Sequence, residues 1–141
     1  MMKKLNKPFR VIIAGSRDFR DYEYLKKMMN IILSKVNDEI VIVSGTATGA
    51  DFLGEHYARE RGFKIMRYPA PWNEVDGKPK NEIGTRSDGY AYWKKAGHVR
   101  NMQMAENADA CVVFRIKMSS GSTDMIKIAE NKKLLLRYFD L

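Results

Sequence analysis

The run Phe9-Arg10-Val11-Ile12-Ile13-Ala14-Gly15-Ser16-Arg17-Asp18 decides the fold. Its first six residues are apolar and β-branched with a single charge, and a glycine cuts them off. That is too short for a stable helix and reads as a buried strand followed by a small polar loop. Working outward, Leu25, Met28, Met29, Ile32 and Val36 recur at spacings of three and four and predict a helix from about Tyr22 to Val36. Glu39-Ile40-Val41-Ile42-Val43-Ser44 repeats the strand pattern and stops at Gly45. Asp51 is placed to cap a helix that runs to about Arg61 and stops at Gly62. Phe63 to Tyr68 is a third strand, His98 to Asn107 a third helix, Ala110 to Phe114 a fourth strand, Thr123 to Asn131 a fourth helix and Leu134 to Phe139 a fifth strand. Strands that alternate with helices and are themselves continuously apolar predict a parallel sheet. The expected fold is therefore α/β: a Rossmann-like doubly wound parallel sheet of about five strands with helices on both faces.

The 141 residues suit one domain, read as residues 1–141 with a long polar insertion at about 73–97, following Trp72. Hydrophobic residues at 45% and charged residues at 30% fit a globular chain. A single cysteine, Cys111, excludes an intrachain disulfide framework, and with only His56 and His98 no metal site is expected. No apolar run approaches the roughly 20 residues that span a bilayer. The basic start Met1-Met2-Lys3-Lys4-Leu5-Asn6-Lys7-Pro8 lacks the apolar stretch of a secretory signal. A cytoplasmic protein without membrane partners is expected. The net charge of +8 favours anionic partners, nucleic acid, nucleotides or phosphates, without choosing among them.

In doubly wound sheets ligands sit beyond the carboxyl ends of the strands. Three such ends carry small polar loops: Gly15-Ser16-Arg17, then Ser44-Gly45-Thr46-Ala47-Thr48-Gly49-Ala50-Asp51, then Ser119-Ser120-Gly121-Ser122-Thr123-Asp124. The second and third run straight into helices, whose free N–H groups and dipole suit an anion. Each loop also has a plainer reading as a tight turn, with Asp51, Ser122 or Thr123 as helix caps. Neither G-x-x-x-x-G-K-[ST] nor G-x-G-x-x-G is present, which disfavours P-loop hydrolysis and ordinary dinucleotide binding, and no cofactor is called for. Arg100, next to Asn101, falls in the first turn of the third helix, where the dipole opposes a cation. It either meets an anion or reaches a surface carboxylate such as Glu106 or Asp124. Trp72 either stacks on a base or covers the core; Tyr90, Tyr92 and Trp93 form a second stacking candidate or a subunit contact.

Taken in order, Ala14-Gly15-Ser16-Arg17, Ser44-Gly45, Gly49-Ala50-Asp51, Glu55, Ala58, Trp72, Ala96-Gly97, Arg100-Asn101, Met104-Ala105, Ala108-Asp109-Ala110 and Ser120-Gly121-Ser122-Thr123 resemble the YspA-like branch of the SLOG superfamily, Rossmann-like proteins of bacteria and phages. The resemblance implies binding of a nucleotide or a nucleotide-derived, ADP-ribose-like molecule, sensed or sequestered at the strand ends. It also implies a second reading. The LOG enzymes of that superfamily cleave the N-glycosidic bond of nucleoside monophosphates with an Arg and a Glu. Arg100 matches the Arg, but no Glu follows Thr123 within two residues, so Asp124, or Asp51, is the carboxylate on offer. A third reading, single-stranded nucleic-acid binding, follows from the DprA-type relatives and the charge. It ranks last because the basic residues cluster little. A homo-oligomer, dimer or larger, is the expected assembly on the same resemblance.

Overall fold

The computed structural model describes residues 7–141, so the basic start up to Asn6, with Lys3 and Lys4, lies outside the described residues. Among the described residues seven strands and four α-helices follow in the order β1 (Phe9–Gly15), α1 (Tyr22–Leu33), β2 (Ile40–Ser44), α2 (Ala50–Arg61), β3 (Lys64–Arg67), β4 (Ile83–Thr85), β5 (Ala91–Trp93), α3 (Ala96–Glu106), β6 (Ala110–Arg115), α4 (Ser120–Asn131) and β7 (Leu135–Asp140). Five of the strands form one sheet in the order β3-β2-β1-β6-β7, and every pair in it is parallel. The expected Rossmann-like sheet is the one found.

Alternation along each central strand divides the core into two layers. Val11 and Ile13 of β1, Ile40 and Ile42 of β2 and Val112 and Phe114 of β6 pack against α1 and α2, on Leu25, Met29, Tyr57 and Ala58. Ile12, Ala14, Val43, Cys111 and Val113 face the other way, onto Met104 and Ala105 of α3 and Met125, Ile128 and Ala129 of α4. Only β1, β2 and β6 are covered on both sides; β3 and β7 are edge strands with half-open faces, which is why their sequences are the more charged.

The strand order sets the site. The chain builds β1, β2 and β3 outward in one direction, then returns to lay β6 on the other side of β1. The order therefore reverses between β1 and β6, and the crevice beyond their carboxyl ends is where such a sheet takes ligands.

Several boundaries differ from the sequence expectations. Helix α1 stops at Leu33, because the Ser34 hydroxyl donates to the Ile31 carbonyl at 2.8 Å and Val36 falls beyond the helix. Helix α3 begins at Ala96, so Arg100 is its fifth residue and lies past the first turn rather than in it. Helix α4 begins at Ser120, so Ser120 to Thr123 are its opening turn and not a loop. The insertion between β3 and α3 contains the antiparallel hairpin β4–β5, with Ile83 opposite Trp93 and Thr85 opposite Ala91. No helix among the described residues is long and apolar enough to cross a membrane.

Candidate functional site

An open cleft of about 580 Å³ lies beyond the ends of β1 and β6. That is within the size range of small-molecule sites. The segment after β1 supplies Gly15, Ser16, Arg17 and Asp18; the segment after β2 supplies Ala47 and Asp51. Helix α3 contributes Gly97, His98, Arg100, Asn101 and Met104, and the start of α4 contributes Ser120, Gly121, Ser122 and Asp124. Trp72 and Lys94 close one side, and Ile116, Lys117 and Ser119 the other. Ser44, Gly45, Thr46, Gly49, Ala50 and Thr123 do not line this cleft.

Those six residues stand behind the wall and shape it. Gly49 has φ +76, and a Cβ there would lie 2.3 Å from the Ser16 carbonyl oxygen and 2.5 Å from that of Arg17. Only glycine lets the two loops meet so closely. The contact is closed by the Ala50 N–H, which donates to the Ser16 carbonyl at 3.2 Å. The Ser44 hydroxyl is buried and donates to Glu55 at 2.6 Å, while accepting from the Thr46 N–H at 3.1 Å. Glu55 in turn accepts two bonds from the Arg67 guanidinium, at 3.1 and 2.7 Å. Thr123 caps nothing; its hydroxyl donates to the Ser119 carbonyl and accepts from Arg115.

Asp51 is not the cap of α2. The cap position is Gly49, without a side-chain bond, and Asp51 reaches back to accept the Ala47 N–H at 3.2 Å. Thr46 and Ala47 thus spend their amides within their own loop, and this loop offers an anion fewer donors than its sequence suggests. Burial pushes the Asp51 carboxyl up to about 6, with the nearby Arg100 charge and the Ala47 bond opposing it.

Arg100 meets neither Glu106 nor Asp124 in an ion pair. It is only 8% exposed, donates from Nε to the Asn101 side chain at 3.0 Å and from Nη1 to the Gly45 carbonyl, and takes part in no salt bridge among the described residues. Burial holds its guanidinium below the ordinary value; Asp51 opposes that shift and Arg17 adds to it. A Cβ on Gly45 would stand 2.6 Å from Arg100 Nη1 and 2.7 Å from Asp51 Oδ2, so the bare glycine is what lets both groups approach the loop.

The start of α4 carries no side-chain cap. Its cap residue, Ser119, spends its hydroxyl on Ser122 at 2.9 Å and on Ser16 at 2.5 Å. The Ser16 hydroxyl also accepts the Ile116 N–H at 2.8 Å, which ties the β1 loop to the β6 loop. These hydroxyls hold the wall together, and the uncapped first-turn N–H groups of α4 are left to the cleft. Lys117 and Met118, which lead into that turn, both have positive φ, 49° and 55°. Such backbone strain costs about 1–3 kcal/mol per residue and clusters at ligand sites. Asp124 accepts from Asn101 at 3.0 Å and pairs with His98 at 2.8 Å, so both its oxygens are engaged. The sequence gives no signal for the His98–Asp124 contact, which spans 26 residues, or for Lys94 and Lys117. Among the described residues no cluster of three His, Cys, Asp or Glu side chains is placed to hold a metal ion.

Known proteins share this fold. Residues 9–74 match the YspA, cpYpsA-related SLOG family. Over that stretch, a little under half of the chain, the sequence is similar to that family. The matched stretch takes in the β1 loop, the β2 loop and Trp72. The Gene 61 protein of Mycobacterium phage D29 is 29% identical over 125 residues, covering 86% of this chain and 88% of that one. Two DNA processing protein A (DprA) structures share the fold with a TM-score of 0.64 and 21% identity, covering 93% of this chain. They come from Streptococcus pneumoniae and Helicobacter pylori, and the second is described as having a unique single-stranded DNA binding mode. The chain spans 50% and 65% of their lengths.

Proposed function

We propose that the cleft between the β1, β2 and β6 loops holds the phosphate of a nucleotide or nucleotide-derived small molecule, and that the protein senses or sequesters that molecule. One observation carries the reading: Arg100 is a buried cation that makes no direct ion pair among the described residues, with Asp51 near it but not bonded to it, in the same cleft as the uncapped start of α4. Removing a guanidinium from water without an anion is costly, and a bound phosphate supplies the missing charge. Arg17 and Lys117 add cations at the rim, and the half-buried Trp72 in the cleft wall offers an aromatic surface to a base.

Calorimetric titration with a panel of nucleotides, NAD and ADP-ribose tests the reading. Binding is expected, and Arg100→Gln is expected to weaken it about a hundredfold or more, the scale of a lost charge-assisted hydrogen-bond pair. The absence of binding across the panel, together with no small molecule copurifying, would sink it. Single-stranded DNA is a second reading, favoured by the likeness to DprA and by the net charge of +8. Its signature is binding that collapses steeply as salt rises.

A further inference from the structure

A second hollow, of about 660 Å³, adjoins the cleft and shares Arg17 and Trp72 with it. Its remaining walls are Thr85, Arg86, Ser87 and Tyr92, all from the β4–β5 hairpin and its turn. These residues are two cations, two hydroxyls and two aromatic rings, a set that suits a phosphorylated molecule with a flat heterocycle.

The hairpin is held in place by its other side. The Trp93 N–H donates to the Trp72 carbonyl at 2.7 Å, the Trp93 indole donates to Glu82 at 3.1 Å, and Lys78 lies over the Trp93 ring at 4.0 Å. Lys95 pairs with the same Glu82. Tyr92 lies across Gly84, where a Cβ would be 2.6 Å from its ring, and meets Trp72 edge-on with centroids 6.1 Å apart. The Arg17 guanidinium sits over Trp72 at 5.7 Å. Arg86 has one carboxylate near it, Asp88 at 3.7 Å, on the exposed turn. The Arg17–Trp72 pair is therefore a shared partition with a hollow on each side, and not an end wall.

We infer that the ligand extends across this partition, and that its chemical class is a small dinucleotide: two nucleosides joined through phosphate, one phosphate at Arg100 and the far base and its phosphoryl charge between Tyr92, Trp72 and Arg86. The inference rests on the reading of the cleft given above and adds the second half of the ligand to it.

The test titrates the full chain with AMP, NAD, diadenosine pyrophosphate and a ten-nucleotide single strand, for the wild type and for Arg86→Gln and Tyr92→Leu. One stacked base contributes about 1–3 kcal/mol, so a dinucleotide is expected to bind about 5- to 150-fold tighter than AMP. Both variants are expected to remove that margin and leave AMP affinity unchanged, with circular dichroism showing that they fold. Equal binding of AMP and the dinucleotides, or variants that weaken both alike, overturns the second subsite and leaves the phosphate cleft standing. Binding of the oligonucleotide without the dinucleotides also overturns it. No binding of any probe removes both readings together.

Discussion

Asp51 is the residue whose ionisation the fold resists. Burial raises its carboxyl from 3.8 to about 6. The folded chain thus keeps a proton that the unfolded chain releases near pH 4. The stability conferred by that proton is complete below the unfolded value and is lost as pH rises through about 6, a loss of roughly 3 kcal/mol. Asn at this position keeps an oxygen for the Ala47 N–H and carries no charge. Asp51→Asn is therefore expected to match the wild type at pH 4 and to exceed it at pH 7.5 by about 1–3 kcal/mol, as read from urea denaturation. The same carboxylate opposes an anion in the cleft. Affinity for NAD, whose pyrophosphate does not titrate in this range, is expected to fall between pH 5 and pH 7.5 in the wild type and to stay flat in the variant. The sequence places Asp51 at a helix start and favours a cap over a ligand contact. The choice between capping and reaching back depends on where Gly49 turns the chain, which no local pattern shows.

At the level of elements, legibility follows the strength of the local pattern. Strands β1, β2 and β6 are near-continuous β-branched or apolar runs and were readable within a residue or two. The start of α4 was not, because Ser120, Gly121 and Ser122 are weak helix formers. Packing decides there: Ser122 and Met125 are buried against the sheet and its loops, and that overrides propensity. The hairpin was hidden for a different reason. Its strands have three residues each, too few to show an alternation, although Asp88-Gly89 in the turn is a hairpin signal. Such a small sheet cannot stand alone and relies on its anchors. Trp93→Ala removes the Glu82 bond and the Lys78 contact together. Trypsin is expected to cut after Arg86 about tenfold faster in this variant, while the global unfolding free energy drops by less than about 1 kcal/mol. A loss of global stability on the scale of a core substitution would show instead that the hairpin is part of the main cooperative unit.

On the scale of the whole molecule, the cleft gathers residues from five parts of the chain, near positions 16, 50, 72, 100 and 120. Sequence could place each at a strand end, because the topology rule needs only the order of elements. It could not place the Arg17–Trp72 partition, which exists only once the hairpin is docked. The strand order has one more effect. β6 is a central strand, hydrogen-bonded on both sides, and yet it begins only at Ala110. During synthesis, β1 waits with one flank bare while some hundred residues emerge behind it. A fragment ending at Asn107 is therefore expected to aggregate, as judged by light scattering at micromolar concentration, where the full chain stays monodisperse. A ribosome stalled before β6 would leave a sticky half-sheet, so this polypeptide becomes safe to release only once β6 has emerged.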